Sequence, residues 1–212
     1  MWISADASSG GDGLPTEGVL DLTSYANNVQ QLTVAKQPIY YANQVNGKPA
    51  WFFDGVDDWW PLQNPAYGFS SNDITCFVVL SPLSLAYAMA LTLDFQLSEL
   101  RQDGDGLRCQ WLGPDGGSDA TTAVYSSGWQ LWMSKSNYSG VNSIQTRINA
   151  GGLYTTLGVA TPTTVGNLSI GARVDGSYSW SGYIAEVLVF DEALSLADEI
   201  TVRNYLMSKY NL

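Results

Sequence analysis

The chain has 212 residues, with 9 Lys and Arg against 20 Asp and Glu, no His, and a net charge of −11. That balance argues against nucleic-acid partners, which need clustered cations. The missing imidazole excludes Ser-His-Asp and Cys-His nucleophiles and His-ligated zinc. With 45% hydrophobic and only 14% charged residues, against a typical ~25% charged, the composition predicts one all-β unit over residues 1–212.

Short apolar blocks bounded by Gly, Pro, Asn and Asp predict strands at Trp2–Ala5, Gly18–Leu22, Ala50–Phe53, Ile74–Leu80, Tyr87–Leu93 and Leu107–Leu112. They continue at Thr121–Tyr125, Trp129–Met133, Ser143–Ile148, Leu168–Ala172 and Tyr183–Phe190. So many strands imply two packed sheets. In Trp129–Met133 the period of two places Trp129, Leu131 and Met133 on one face, read here as the core, and Gln130 and Trp132 on the other. Trp2, Trp51, Trp129 and Trp180 are also assigned to the core. A single helix follows over about 195–210. Ser195 is its N-cap, Asp198 and Glu199 favour its dipole, and Leu196, Ile200, Val202, Leu206 and Tyr210 form its apolar stripe. The helix is expected over an edge or end of the sandwich.

Two carboxylate groups stand out. In Phe53-Asp54-Gly55-Val56-Asp57-Asp58-Trp59, Asp54, Asp57 and Asp58 can accept backbone N–H bonds and hold a hairpin turn. A calcium site is the alternative reading, since three carboxylates within five positions can cluster their oxygens. Asp103-Gly104-Asp105-Gly106 resembles the start of a calcium loop, but Pro114 stands where the final Glu belongs, so a turn is the better reading. Cys76 and Cys109 are too few for a disulfide framework, and whether they pair is left open.

Two segments carry a family resemblance. The first is Trp2-Ile3-Ser4-Ala5-Asp6-Ala7-Ser8 with Gly18-Val19-Leu20-Asp21-Leu22 and Asn46-Gly47-Lys48-Pro49-Ala50-Trp51-Phe52-Phe53-Asp54-Gly55-Val56-Asp57-Asp58. The second is Leu168-Ser169-Ile170-Gly171-Ala172 with Trp180-Ser181-Gly182-Tyr183-Ile184-Ala185-Glu186-Val187-Leu188-Val189-Phe190-Asp191-Glu192-Ala193-Leu194-Ser195 and the terminal helix with Tyr205-Leu206 and Lys209-Tyr210-Asn211-Leu212. Together they resemble the concanavalin A-like, laminin G-like domains of bacterial surface and bacteriophage virion proteins. The resemblance implies a two-sheet antiparallel jelly-roll sandwich with one C-terminal α-helix. Its function is not implied, because the fold hosts lectins, glycanases, adhesion modules and scaffolding parts.

Glucanase relatives of that fold carry E-x-D-x-E or E-x-D-x-x-E on one strand, and none of Glu17, Glu99, Glu186, Glu192 and Glu199 opens such a motif. The chain is therefore expected not to be an enzyme, and Glu186 to be structural. Sugar recognition uses aromatic rings with Asn, Asp, Gln and backbone groups around them. Trp60, Trp111, Tyr138 and Tyr178 lie beside turns and are the candidate rings for glycan stacking or partner contact. The N-terminus lacks the basic and apolar regions of a secretory signal, and no apolar run approaches the ~20 residues of a membrane span.

The leading expectation is a non-enzymatic virion protein of a bacteriophage: a decoration, fibre or tail module made in the host cytoplasm. It docks on other particle proteins and on itself as a homo-oligomer, with host glycans as further partners, and it neither binds nucleic acid nor inserts in membranes. The alternative is a carbohydrate-binding lectin module of a longer exported chain, such as a bacterial adhesin or polysaccharide-processing enzyme, acting outside the cell or at its surface.

Overall fold

The computed structural model describes residues 1–8, 10–64, 73–84, 86–93, 98–103, 106–112, 119–121, 128–157 and 167–212. Side chains at 98, 99, 102, 103, 106–112 and 119–121 lie outside the description. The strands in chain order are β1 Trp2–Ser4, β2 Leu14–Pro15, β3 Gly18–Val19, β4 Val29–Gln30, β5 Ile39–Val45, β6 Lys48–Asp54, β7 Trp60–Pro61, β8 Ile74–Pro82 and β9 Ala88–Leu93. They continue with β10 Ser98–Asp103, β11 Gly106–Leu112, β12 Asp119–Thr121, β13 Gln130–Asn137, β14 Ser143–Ile148, β15 Tyr154–Leu157, β16 Leu168–Ile170 and β17 Ser181–Phe190, before the helix α1 Leu196–Tyr210.

One sheet runs β15-β14-β13-β8-β17-β6-β5-β2, with β1 also paired to β17. The second runs β12-β11-β10-β9-β16-β7, and β3 and β4 form a separate ribbon. Every registered pair among these strands is antiparallel. The expected all-β antiparallel sandwich closed by one C-terminal helix is the architecture found.

Between the sheets, Trp51, Phe53, Trp60, Trp132 and Trp180 are fully buried with Ile74, Val78, Leu80, Leu91, Ile170, Ile184 and Val187. The indoles meet edge to face: Trp51 and Trp60 at 5.1 Å, Trp132 and Trp180 at 5.8 Å, a geometry favoured by the ring quadrupole. Trp132 reverses the expectation for its strand. It faces the inter-sheet core, its Nε1–H donating to Gln130 Oε1 at 2.8 Å, while Leu131 and Met133 point to the sheet's other side. They are buried there because α1 lies on that outer face. Strand β8 is apolar on both sides for the same reason.

The helix therefore covers a face of the large sheet rather than an edge or end. Ser195 Oγ accepts from the Asp198 N–H as predicted, and Leu206 and Tyr210 pack on Val45, Ala50, Phe77, Val79, Leu131, Met133 and Leu188. The buried stripe differs from the predicted one, because Leu196 and Ile200 are exposed and Glu199 is fully buried. Lys135 Nζ lies 3.0 Å and an Arg147 guanidinium nitrogen 3.5 Å from the Glu199 carboxylate. A second buried carboxylate works from the opposite side: Glu186 of β17 accepts from Lys209 Nζ at 2.8 Å, Tyr210 Oη at 2.6 Å and Trp2 Nε1 at 2.5 Å. Each element thus places one acid under cations or donors of the other, and Glu186 is structural as expected.

Of the four tryptophans assigned to the core, Trp51 and Trp180 are fully buried, whereas Trp2 and Trp129 are half-buried on the helix-bearing face. Cys76 is a free thiol in β8, pushed up in pKa by burial, so it is not bridged. The Cys109 side chain lies outside the described residues, as does the Gly-rich 113–117 stretch. Among the described residues, no helix is long and apolar enough to cross a membrane.

Candidate functional site

The turn after β6 is built as its sequence suggests. Gly55 takes a left-handed conformation (φ 80°), and a Cβ there would come within 2.7 Å of the Ser181 side chain, so Gly is required. Asp54 Oδ1 accepts from the N–H groups of Val56 at 2.8 Å and Asp57 at 3.3 Å, and Asp58 Oδ2 accepts from the Asp54 N–H at 3.0 Å. Carboxylate oxygens of Asp54, Asp57 and Asp58 all lie within 4.8 Å of one another. Asp54 is exposed, Asp57 half-buried and Asp58 buried. Burial, reinforced by the charges of Asp54 and Asp57, pushes the Asp58 carboxyl up to about 7 against the opposing N–H bond from Asp54. A hard divalent cation such as calcium fits this all-oxygen donor set.

The loop from Gly171 to Trp180 closes over the turn. Ser179 Oγ donates to the Val56 carbonyl at 3.0 Å, and the Trp59 indole lies against Gly176. Within the loop, Asp175 accepts from Ser177 Oγ at 2.6 Å and from the Ser177 N–H at 2.9 Å, bonds that hold its carboxyl below the usual range.

At the loop's crest Tyr178 adopts φ 56° and is 48% exposed, while its carbonyl accepts from the Met89 N–H at 2.9 Å. Its ring meets Tyr87 edge-on at 5.0 Å, and the Arg173 guanidinium lies 4.5 Å from its centroid. Arg101 in turn lies 4.8 Å from the Tyr87 centroid and donates to the Tyr87 hydroxyl. Both arginines are nearly buried. The result is an Arg–Tyr–Tyr–Arg series whose outermost ring faces solvent, a rigid support for a stacking contact. The sequence reading singled out Tyr178 and the Asp turn and missed Arg101, Tyr87 and Arg173. Nothing local marks those three, because β9, β10 and the 171–180 loop meet only in the folded chain.

The remaining candidates are elsewhere. Trp60, expected at the surface, is fully buried; its Nε1–H donates to the Thr16 carbonyl at 3.0 Å and its ring packs on Trp51 and Phe53. Its position beside a turn was misleading because Thr16, 44 residues earlier in the chain, supplies the polar partner a buried indole needs. Tyr138 is half-buried against the main core, in a turn where Asp73 Oδ1 accepts from its N–H at 2.6 Å. The side chains of Trp111, Asp103 and Asp105 lie outside the described residues.

No protein-family model matches the chain, and no curated protein matches it in sequence. Solved structures do share its fold. A heptameric SAP-like pentraxin from Limulus polyphemus has a TM-score of 0.54 at 15% identity, over 68% of this chain and 76% of that one. Domain 4 of the extracellular GH43 arabinanase AbnA from Geobacillus stearothermophilus, in complex with arabinotriose, has a TM-score of 0.54 at 13% identity, over 75% and 77%. The botulinum neurotoxin type G receptor binding domain has a TM-score of 0.64 at 11% identity, over 97% of this chain and 51% of that one. The fold is thus a jelly-roll-like antiparallel β-sandwich.

Proposed function

We propose that the chain is a non-enzymatic carbohydrate-binding module acting outside the cell or at its surface, with its sugar site at the Tyr178 crest beside the Asp54–Asp58 turn. The observation that carries this reading is the exposed Tyr178 ring, fixed from behind by Tyr87 and Arg173. A ring held in this way can stack on a pyranose face without losing rotamer freedom. The arabinotriose-bound arabinanase domain and the receptor binding domain of the neurotoxin add support, since binding modules occur on this fold. A binding rather than catalytic role is supported by Glu186 and Glu199, whose buried carboxylates serve helix docking. Calcium at the three aspartates would order the turn against the 171–180 loop.

The test is a glycan panel run with calcium and again with chelator. Selective binding by the wild-type protein, weakened at least about tenfold in Tyr178→Ala with an unchanged melting temperature, is the expected result. Binding lost in chelator and in Asp58→Asn would add calcium to the site. Binding that Tyr178→Ala leaves intact would move the site elsewhere.

The virion reading is a second proposal, favoured by the exposed apolar side chains of Leu14, Leu20, Leu22, Tyr25, Leu32 and Val34 in one stretch of chain. Concentration-dependent oligomers and co-purification with phage particles are its expected signs. A protein that stays monomeric at high concentration and never accompanies particles would remove it.

A further inference from the structure

The helix-bearing face of the large sheet is only partly covered by α1. Beyond the helix, register places Ile39 beside Phe52, Phe52 beside Tyr183 and Tyr183 beside Ser81, so these four positions form one row across β5, β6, β17 and β8. Trp129, just before β13, has its ring 6.0 Å from the Tyr183 ring. Tyr41, two residues along β5 from Ile39, stands 6.4 Å from Phe52 and 6.3 Å from Tyr183. All four rings are half-buried. The Trp129 indole is fixed by an Nε1–H bond to the Gln44 carbonyl at 3.1 Å.

We infer that this row is a second sugar-binding surface, a platform for an uncharged polysaccharide chain laid across the strands. The inference rests on the reading of the chain as a carbohydrate-binding module. With Tyr41 6.3 Å and Trp129 6.0 Å from the Tyr183 ring, the rings span at most about 12 Å, enough for a short run of sugar rings. Phe52 and Tyr183 stand on directly paired strands, while Tyr41 sits where β5 shifts register and Trp129 where β13 begins.

Charge selects the occupant. The face positions beside the rings, Ala50, Ser81 and Ala185, carry no charge, and the rings add only the phenol hydroxyls of Tyr41 and Tyr183, suited to sugar hydroxyls. On β6, Asp54 places one negative charge two residues from Phe52, as near as Ala50 on the other side, and Lys48 a positive one four residues away. A neutral glycan meets no opposing charge there, whereas a second copy of this chain would bring another −11.

The test uses the full chain in pull-down and titration against neutral polysaccharides (cellulose, chitin, arabinan) and an acidic one (polygalacturonate), comparing wild type, Tyr178→Ala, Tyr41→Ala and Trp129→Ala. The expected result is neutral-polymer binding weakened about tenfold or more in Tyr41→Ala and Trp129→Ala, retained in Tyr41→Phe. Thermal melts confirm that each variant is folded. If the alanine variants do not fold, quenching of tryptophan emission by a soluble neutral oligosaccharide in wild type, absent in Trp129→Phe, replaces them as the readout. Binding lost in Tyr178→Ala but unchanged in both row variants overturns the platform and leaves the Tyr178 site standing. Binding to the acidic polymer alone also overturns the platform. No binding to any glycan overturns both.

Discussion

The two faces of the large sheet are buried by different means. On the inner face Trp51, Trp60, Trp132 and Trp180 interlock with aliphatic side chains, and the indole N–H groups of Trp60 and Trp132 bond within the core. On the outer face Leu206 and Tyr210 of α1 pack on a smaller apolar patch, flanked by Glu199 under Lys135 and Arg147 and by Glu186 under Lys209 and Tyr210. The inner face is held by shape and area. The outer one adds charge pairs, which fix where the helix lies more than how strongly it holds, because desolvation offsets most of a buried pair's attraction.

That contrast can be broken experimentally. Trp132→Ala leaves a cavity between the sheets and is expected to cost about 3–5 kcal/mol, measured by denaturant unfolding. Glu199→Ala strands Lys135 and Arg147 without their acid and should cost about 3 kcal/mol, the low end for a broken buried pair, since both cations keep some solvent contact. Replacing Glu199, Lys135 and Arg147 together by Leu should recover most of that loss; a triple variant no more stable than Glu199→Ala would show that the charges themselves hold the helix.

Asp58 offers a pH test at the opposite end of β6. Its carboxyl is raised in the folded state from about 4 to about 7, so between those values the folded chain holds more protons than the unfolded one. Its contribution is present in full below about pH 4 and is lost as pH rises toward 7. Asp58→Asn should flatten that decline, seen in melting temperatures across the window. The smallest expected effect is at the helix N-cap, where Ser195→Ala should cost about 1 kcal/mol in the same unfolding assay.

Much of the frame is readable from local pattern. The apolar runs of β8 and β17, the Ser195 cap and the Asp54–Gly55 turn each follow from neighbours within a few residues. What is not readable is which face a residue buries when both faces are covered. Leu131 and Trp132 are equally apolar, and only the position of α1, some 60 residues later in sequence, decides that Trp132 looks inward. The same limit separates Trp60 from Tyr178: both flank turns, but one meets Thr16 and the core and the other meets Tyr87 and solvent. Strand β5 was missed because its apolar Ile39-Tyr40-Tyr41 start gives way to Ala42-Asn43-Gln44, where the pairing with β6 shifts register. Strand β15 was missed because its side chains are almost all exposed.

Strand β17 lies between β8 and β6 and also carries β1. During synthesis the ribosome must therefore deliver residues 181–190 before the two halves of the sheet can be joined, and Trp2 must wait for Leu188, its partner across that junction. Assembly governed by such distant pairings is slow. A nascent chain paused before residue 181 would display the unpaired edges of β6 and β8 together, the kind of exposed strand edge that invites misassembly.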